Sequence, residues 1–144
     1  MAFQSQESPR RQLDAVKQVT MAFPIISNTS NSNVIDLECA PTFPALEQVN
    51  FVAFAQSANA NSGNSAAVNI IMQHSADTNT ANFANVPGQA LTSIASNGAV
   101  YPVTNVVFAV PPDTLKRYVR IQVAQGAGGA NSANSANITF GLAF

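Results

Sequence analysis

The chain has 144 residues, which is enough for one domain to bury a hydrophobic core without a metal or a disulfide. Hydrophobic residues make up 47% of it but charged residues only 9%, against about 25% in an average soluble domain. The surface is therefore predicted to consist mainly of Asn, Ser, Thr and Gln side chains. The net charge of −1 gives no global field that attracts nucleic acid.

The cysteine count and the hydropathy of the chain exclude several further kinds of protein. Cys39 is the only cysteine, which excludes an internal disulfide and a multi-cysteine zinc site. No apolar run approaches the roughly 18 residues that a membrane span needs, and residues 1–11 lack the apolar core of a signal peptide. We expect a soluble protein made in the cytoplasm, with no membrane partner and no cofactor.

Residues 1–17 are predicted to form an N-terminal arm, and residues 18–144 a single domain. The arm is rich in charge, including Arg10 and Arg11, and poor in large apolar residues. A short helix over residues 12–19, an extended tether and a frayed terminus all fit this composition.

The first half of the domain is predicted to contain two short strands and a hairpin. Residues 19–23 and 34–37 are predicted as short strands on either side of a turn-forming run rich in Asn and Ser. Residues 47–56 are apolar on both faces, which indicates a central strand. Residues 67–74 alternate, and we expect them to pair with 47–56 around a small-residue loop at 57–64.

The second half repeats this pattern of short strands separated by turns. Residues 90–95 and 105–110 are predicted strands, and residues 138–144 alternate strictly between large apolar and small side chains. With about eight strands and no long helix, the sequence predicts an all-β fold: an antiparallel β-sandwich of jelly-roll type.

The stretch at residues 115–123 carries half of the six basic residues. Val119, Ile121 and Val123 alternate with polar residues, so one face of this strand is predicted to lie in the core. Lys116, Tyr118 and Arg120 are predicted to form a contact face for a neighbouring subunit. Three cations without a stacking platform are weak evidence for nucleic-acid binding, and Arg117 interrupts the alternation.

No catalytic or metal-binding motif is strong. His74, Asp77 and the abundant serines include the residue types of a hydrolase, but a turn histidine that caps backbone groups is the preferred interpretation of His74. Asp36 and Glu38, with Glu47, are weak candidates for a calcium site; solvated edge carboxylates, or partners for the basic residues, are the preferred interpretations. The glycines at 126–129 lack the Lys-Ser/Thr of a phosphate loop. We expect a protein that is not an enzyme and holds no metal.

Several segments resemble the small cement (decoration) proteins of short-tailed bacteriophage capsids, the family seen in the Bordetella podophage head. The resemblance lies in the order and spacing of residues 30–37, the 73–77 turn followed by Phe83, residues 115–120, and the closing strand at 138–144. Two features depart from the family pattern: Glu38-Cys39 stands where a glycine is common, and the arm is longer and more basic.

This resemblance implies a jelly-roll-like sandwich on the outer surface of an assembled virion shell. Its partners would be the major capsid protein and further copies of itself in a homotrimer, with neighbouring capsid subunits bridged. The predicted contacts are Arg10, Arg11, Lys116, Tyr118 and Arg120. The alternative is a carbohydrate- or receptor-binding β-sandwich from a phage head fibre or tail.

Overall fold

Twelve β-strands form in the residues that the computed structural model describes, which are 13–22, 29–38, 49–64, 67–89, 92–96, 98–125 and 136–143. The strands are β1 (Leu13–Ala22), β2 (Thr29–Asn31), β3 (Ile35–Asp36), β4 (Val49–Ala55), β5 (Ala58–Asn64), β6 (Val68–Ser75), β7 (Ala84–Asn85), β8 (Thr92–Ile94), β9 (Gly98–Tyr101), β10 (Thr104–Val110), β11 (Tyr118–Gln125) and β12 (Asn137–Ala143). Two 3₁₀ turns, Thr80–Asn82 and Pro112–Thr114, complete the described elements. No helix in these ranges is long and apolar enough to cross a membrane.

Ten of the strands form two antiparallel sheets with interleaved connections. One has four strands in the order β1-β12-β4-β10, and the other has the order β2-β11-β6-β7, with β3 also paired to β11 and β8 to β6. Without β5 and β9, and with β2 and β3 counted as one strand and β7 and β8 as another, eight principal strands remain. Numbered along the chain, their orders in the two sheets are 1-8-3-6 and 2-7-4-5. These are the paired Greek keys of a jelly roll. The predicted antiparallel jelly-roll sandwich of about eight principal strands is confirmed.

The predicted hairpin between residues 47–56 and 67–74 is wrong. β4 lies between β12 and β10 in the four-stranded sheet, whereas β6 pairs with β11, β7 and β8 in the other. β4 is central, as its two apolar faces indicated. The residue patterns located both strands correctly, but they give no information about which strand each of them pairs with.

Residues 58–64, predicted as a loop, form strand β5. It pairs antiparallel with β9 to make a small separate sheet, with a register irregularity between Asn59 and Asn64. Ala58 is buried, and the Ser57 hydroxyl donates to the carbonyl oxygen of Tyr101. Main-chain pairing therefore orders a segment whose small side chains show no hydrophobic period.

The first strand begins at Leu13, which corrects two predictions about the N-terminal part of the chain. Residues 13–17 of the predicted arm belong to β1 and pair with β12, and no helix forms over 13–19. Residues 1–12, with Arg10 and Arg11, lie outside the described residues. Similarly, β2 forms at Thr29–Asn31 within the predicted turn-forming run, held by pairing with β11.

The core lies between the inner faces of the two sheets. The Phe51 and Phe140 rings stack with centroids 5.6 Å apart, and Phe108 meets Phe140 edge-on at 6.3 Å. From the opposite sheet, the fully buried Val119 and Ile121 join the same cluster. Each such side chain contributes about 1.5–3 kcal/mol by burial. The predicted core face of the 115–123 stretch is confirmed.

Close approach of β1 to β12 requires a glycine at position 141. A Cβ atom built there would lie 2.8 Å from the Gln18 Cβ and 2.9 Å from the Lys17 carbonyl oxygen. The register of β1 on β12 shifts between Leu13 and Gln18, so the strand bulges over this point. Gly141 thus allows the irregular first strand to stay paired.

Candidate functional site

The outer face of the six-stranded sheet is lined by side-chain amides. Val119, Ile121 and Val123 of β11 point inward and are fully buried, so the residues between them point outward. The register places outward residues of β11, β6, β2, β7 and β8 side by side. We call this surface the amide face; its accessible polar residues are Asn31, Asn69, Asn85, Ser93 and Gln122, with Ile71 opposite Gln122, and it also includes the buried Gln73 and Arg120.

Hydrogen bonds run across the amide face from strand to strand. The Gln73 amide accepts from Arg120 Nε at 2.9 Å and donates to Asn85 Oδ1 at 3.1 Å, which links β11, β6 and β7. Gln122 Nε2 donates to Asn31 Oδ1 at 3.2 Å, and the Ser93 hydroxyl donates to Asn69 Oδ1 at 2.5 Å. These bonds hold the side chains in fixed orientations, so a partner meets an ordered polar surface.

Arg120 is not an exposed contact residue, contrary to the prediction. It is only 5% exposed, and its guanidinium carbon lies 4.1 Å from the centroid of the Phe83 ring. Arg120 Nη2 also donates to the Thr80 carbonyl oxygen at 3.5 Å. Desolvation lowers the pKa of Arg120. Its role in the described structure is to hold the segment from Thr80 to Phe83 against the sheet.

Of the other predicted contact residues, Lys116 is exposed and Tyr118 is half-buried. The Arg117 guanidinium carbon lies 5.0 Å from the Tyr118 ring centroid. Arg117 itself precedes β11 and binds Asp36 with two hydrogen bonds of 2.8 Å. Arg117 interrupts the alternation because the Asp36 carboxylate holds its side chain just before β11 begins.

Asp36 and Glu38 bond to cations, as one of the preferred interpretations of these carboxylates predicted. Arg117, together with the Glu38 backbone N–H, lowers the pKa of Asp36 to about 2, and Asp36 raises the pKa of Arg117. Lys17 Nζ donates to the Asp36 carbonyl oxygen at 2.7 Å and to Glu38 Oε1 at 2.8 Å. The bonds join β1 of one sheet to β3 of the other. Glu47 and Cys39 lie outside the described residues, which hold no metal-ligand cluster.

Glu38 adopts a backbone φ of 70°, in the left-handed region that favours glycine. This is the position at which the family resemblance led us to expect a glycine. Glu38 keeps the conformation while its N–H donates to Asp36 Oδ1 at 2.7 Å.

His74 and Asp77 do not form a catalytic pair. His74 lies in β6, is 4% exposed, and has no hydrogen-bond partner for Nδ1 among the described residues. Burial lowers its pKa, with a smaller contribution from Lys116. Asp77 instead accepts from Asn82 Nδ2 at 2.8 Å and from the Asn79 N–H at 2.9 Å. The prediction of a turn histidine is wrong, because His74 is part of the buried strand.

Sequence reasoning missed the amide face. Gln73 and Gln122 occupy the polar positions of alternating strands, which identified them as outward-facing. Their partner Asn31 lies in a predicted turn, and no element was predicted at their partner Asn85. A cross-strand ladder becomes visible only once the register is known. The glycine-rich residues 126–129 lie outside the described part of the chain.

The sequence matches no protein-family model and no curated protein. Among solved structures, the chain is similar to a carbohydrate-binding module specific for non-crystalline cellulose, CBM28. The identity is 16% and the TM-score 0.51, over 87% of this chain and 71% of that one. This likeness shows a shared β-sandwich fold. A weaker match, at 8% identity and a TM-score of 0.48, is the VP2 subviral particle of infectious bursal disease virus, of which this chain covers 36%.

Proposed function

We propose that the protein is a non-enzymatic structural component of a virion that binds the outer surface of an assembled capsid. In this function each copy bridges neighbouring major capsid subunits, so that opening of the shell must also break its contacts. The observation that carries the proposal is the amide face, a hydrogen-bonded polar surface whose accessible residues carry no charge. The resemblance to phage cement proteins supplies the partner.

An amide surface suits permanent burial against another protein. Neutral amides cost less to bury than charges, and each retains a further donor or acceptor for a partner. Gln122 is half-buried near the centre of the face and Lys116 is exposed beyond its end. Individual contacts of this kind are weak. Copies that engage two capsid subunits at once gain strength through effective concentration.

The test compares capsids that carry and lack the protein. We expect decorated particles to release their contents at a higher temperature, because binding to the closed shell stabilises that state by mass action. Gln122→Lys removes the bond to Asn31 and adds a charge to the amide face. It should lower capsid occupancy, whereas Ala22→Lys, on the exposed edge of the other sheet, should not. Equal occupancy of both variants would reject the amide face as the binding surface.

The N-terminal segment is expected to contribute a second contact through Arg10 and Arg11. Deletion of residues 1–12 leaves every described strand intact, because β1 begins at Leu13. We expect the shortened protein to keep its unfolding midpoint but to occupy fewer capsid sites. Full occupancy after this deletion would argue against a tethering role.

The second candidate function is a carbohydrate- or receptor-binding module, and the amide face also favours it. Amide donors and acceptors are groups that bind sugar hydroxyls, and the half-buried Tyr118 lies on the same outer face of β11 as Gln122. A glycan array separates the candidates: specific binding that is lost in Gln122→Lys would support this function. An empty array together with shell-wide occupancy of capsids would leave the structural function.

A further inference from the structure

The outer edge of β10 is unpaired in the described structure. β10 is the last strand of the four-stranded sheet, and only β4 pairs with it. The Ala109 carbonyl oxygen accepts from Gln89 Nε2 at 2.9 Å and so points away from β4. Main-chain groups alternate in direction along an antiparallel strand, so those of Asn105 and Val107 also point outward. Within the described residues they have no hydrogen-bond partner.

This edge also carries the exposed large hydrophobic side chains of the described residues. They are Val103, which is 58% exposed, and Val107, which is 47% exposed. The two valines are four residues apart, and the exposed Asn105 lies midway between them. All three side chains point to the same, outer face of the sheet, because alternate residues of a strand share a face. Both valines therefore line the same open edge.

The edge lacks the devices that normally prevent strand pairing. Edge strands are usually protected by charges, prolines or bulges. The sequence has no charged residue from position 78 to 112, and Thr104–Val110 contains no proline. Its register on β4 is continuous. Among the described residues, only Gln89 bonds to this edge, at Ala109, and Pro102 borders it; a second strand can therefore approach the part between them, from Val103 to Val107, without electrostatic repulsion.

We propose that β10 pairs antiparallel with β10 of a second copy, about a two-fold axis at Asn105. In this register Val103 of each copy lies opposite Val107 of the other, and Asn105 lies opposite Asn105. The pairing joins two four-stranded sheets into one of eight strands. A two-fold contact of this kind is self-complementary and closed, so it stops at the dimer.

The spacing of the side chains selects this register. An axis at Val107 would pair Asn105 with Ala109, displace the Gln89 bond and leave Val103 uncovered. The axis at Asn105 covers both valines and keeps Gln89 in place. The contact uses the four-stranded sheet, so it does not depend on the proposed capsid binding by the amide face of the other sheet.

Sedimentation of the purified full-length protein over a wide concentration range tests the pairing. We expect a dimer for the native chain and a monomer for Val107→Lys, since the added cation enters the paired edge. Ala22→Lys, on the opposite edge strand, should remain dimeric. If Val107→Lys fails to fold by circular dichroism, Val103→Lys replaces it, because that residue precedes the strand. A native monomer at every concentration, or an assembly unchanged by these variants, would overturn the proposal.

Cysteine cross-linking tests the register, after Cys39 is replaced by Ala. Asn105→Cys should form a disulfide-linked dimer under mild oxidation, because opposed residues have Cα atoms about 5.5 Å apart. Val107→Cys should not, since the two copies of position 107 are offset by four residues, or about 14 Å. Failure of Asn105→Cys to cross-link, or preferential cross-linking of Val107→Cys, would refute the register.

Discussion

The contact between Arg120 and Phe83 should stabilise the protein measurably, and a double-mutant cycle isolates its energy. Phe83→Leu keeps an apolar side chain but removes the aromatic ring. Arg120→Met keeps much of the buried stem but removes the cation and its bond to Gln73. The double variant closes the cycle, and the coupling is the difference between its destabilisation and the sum of the single ones.

The structure sets the size of the expected coupling. Cation–π contacts are worth about 0.5–1 kcal/mol at exposed sites and about 2 kcal/mol when desolvated. Arg120 is 5% exposed and lies 4.1 Å from the Phe83 centroid, but Phe83 is only half-buried. We therefore expect a coupling of about 1–2 kcal/mol. Phe83→Leu alone should cost about 2 kcal/mol, since it also leaves Arg120 short of a partner.

Urea unfolding of the four proteins provides the measurement, with the slope m checked for constancy. At roughly 2–4 °C per kcal/mol, Phe83→Leu should lower Tm by about 4–8 °C. A control cycle combines Phe83→Leu with Val107→Ala, on the other sheet, and should be additive. A coupling below about 0.3 kcal/mol between Phe83 and Arg120 would show that the ring does not stabilise the cation.

Three further perturbations have defined outcomes. Burial lowers the folded-state pKa of His74 below its ordinary 6.5. The unfolded chain therefore binds a proton at a higher pH than the folded chain does, and the free energy of unfolding should fall as the pH drops below about 6.5. His74→Leu should flatten this dependence in urea titrations between pH 7 and 5.5. Gly141→Ala should destabilise by about 1–3 kcal/mol, because the new methyl group meets Gln18 and Lys17. Glu38→Gly should raise the free energy of unfolding by about 0.5–1 kcal/mol, since it relieves the left-handed backbone and loses only an exposed ion pair.

Each of these expectations has an outcome that contradicts it. For His74, the refuting result is a pH profile with the same slope before and after substitution by Leu. An unchanged melting temperature in Gly141→Ala would mean that β1 can move away from β12 at no cost. A loss of stability in Glu38→Gly would mean that the bond to Lys17 outweighs the backbone strain.

Alternation predicted the strands that are long and packed on one side. β6, β10, β11 and β12 were found because their inward residues are large and regularly spaced, as in Val119, Ile121 and Val123. Segments stabilised by main-chain pairing alone were missed, because β5 and β2 consist mostly of Ala, Ser and Asn. The local pattern also says nothing about partners, so β4 and β6 were wrongly paired.

The candidate site was predictable only in part, because its contacts join residues far apart in the chain. Arg117 and Asp36 are separated by 81 positions, and Arg120 and Gln73 by 47. Periodicity placed Arg120 on the outer face correctly, but exposure depends on what covers that face. The Phe83 ring does so, and its position follows from the turn built around Asp77.

Pairing of the first strand with the last also has a mechanical consequence. Leu13 lies opposite Ala143 in an antiparallel ladder, so a force that separates these two points breaks the hydrogen bonds of β1 and β12 one at a time. Peeling is a low-resistance geometry compared with shear, in which all the bonds are loaded together. Tension on the two chain ends would therefore detach β1 first and uncover Val19 and Met21, while the opposite sheet, with the amide face, stayed folded.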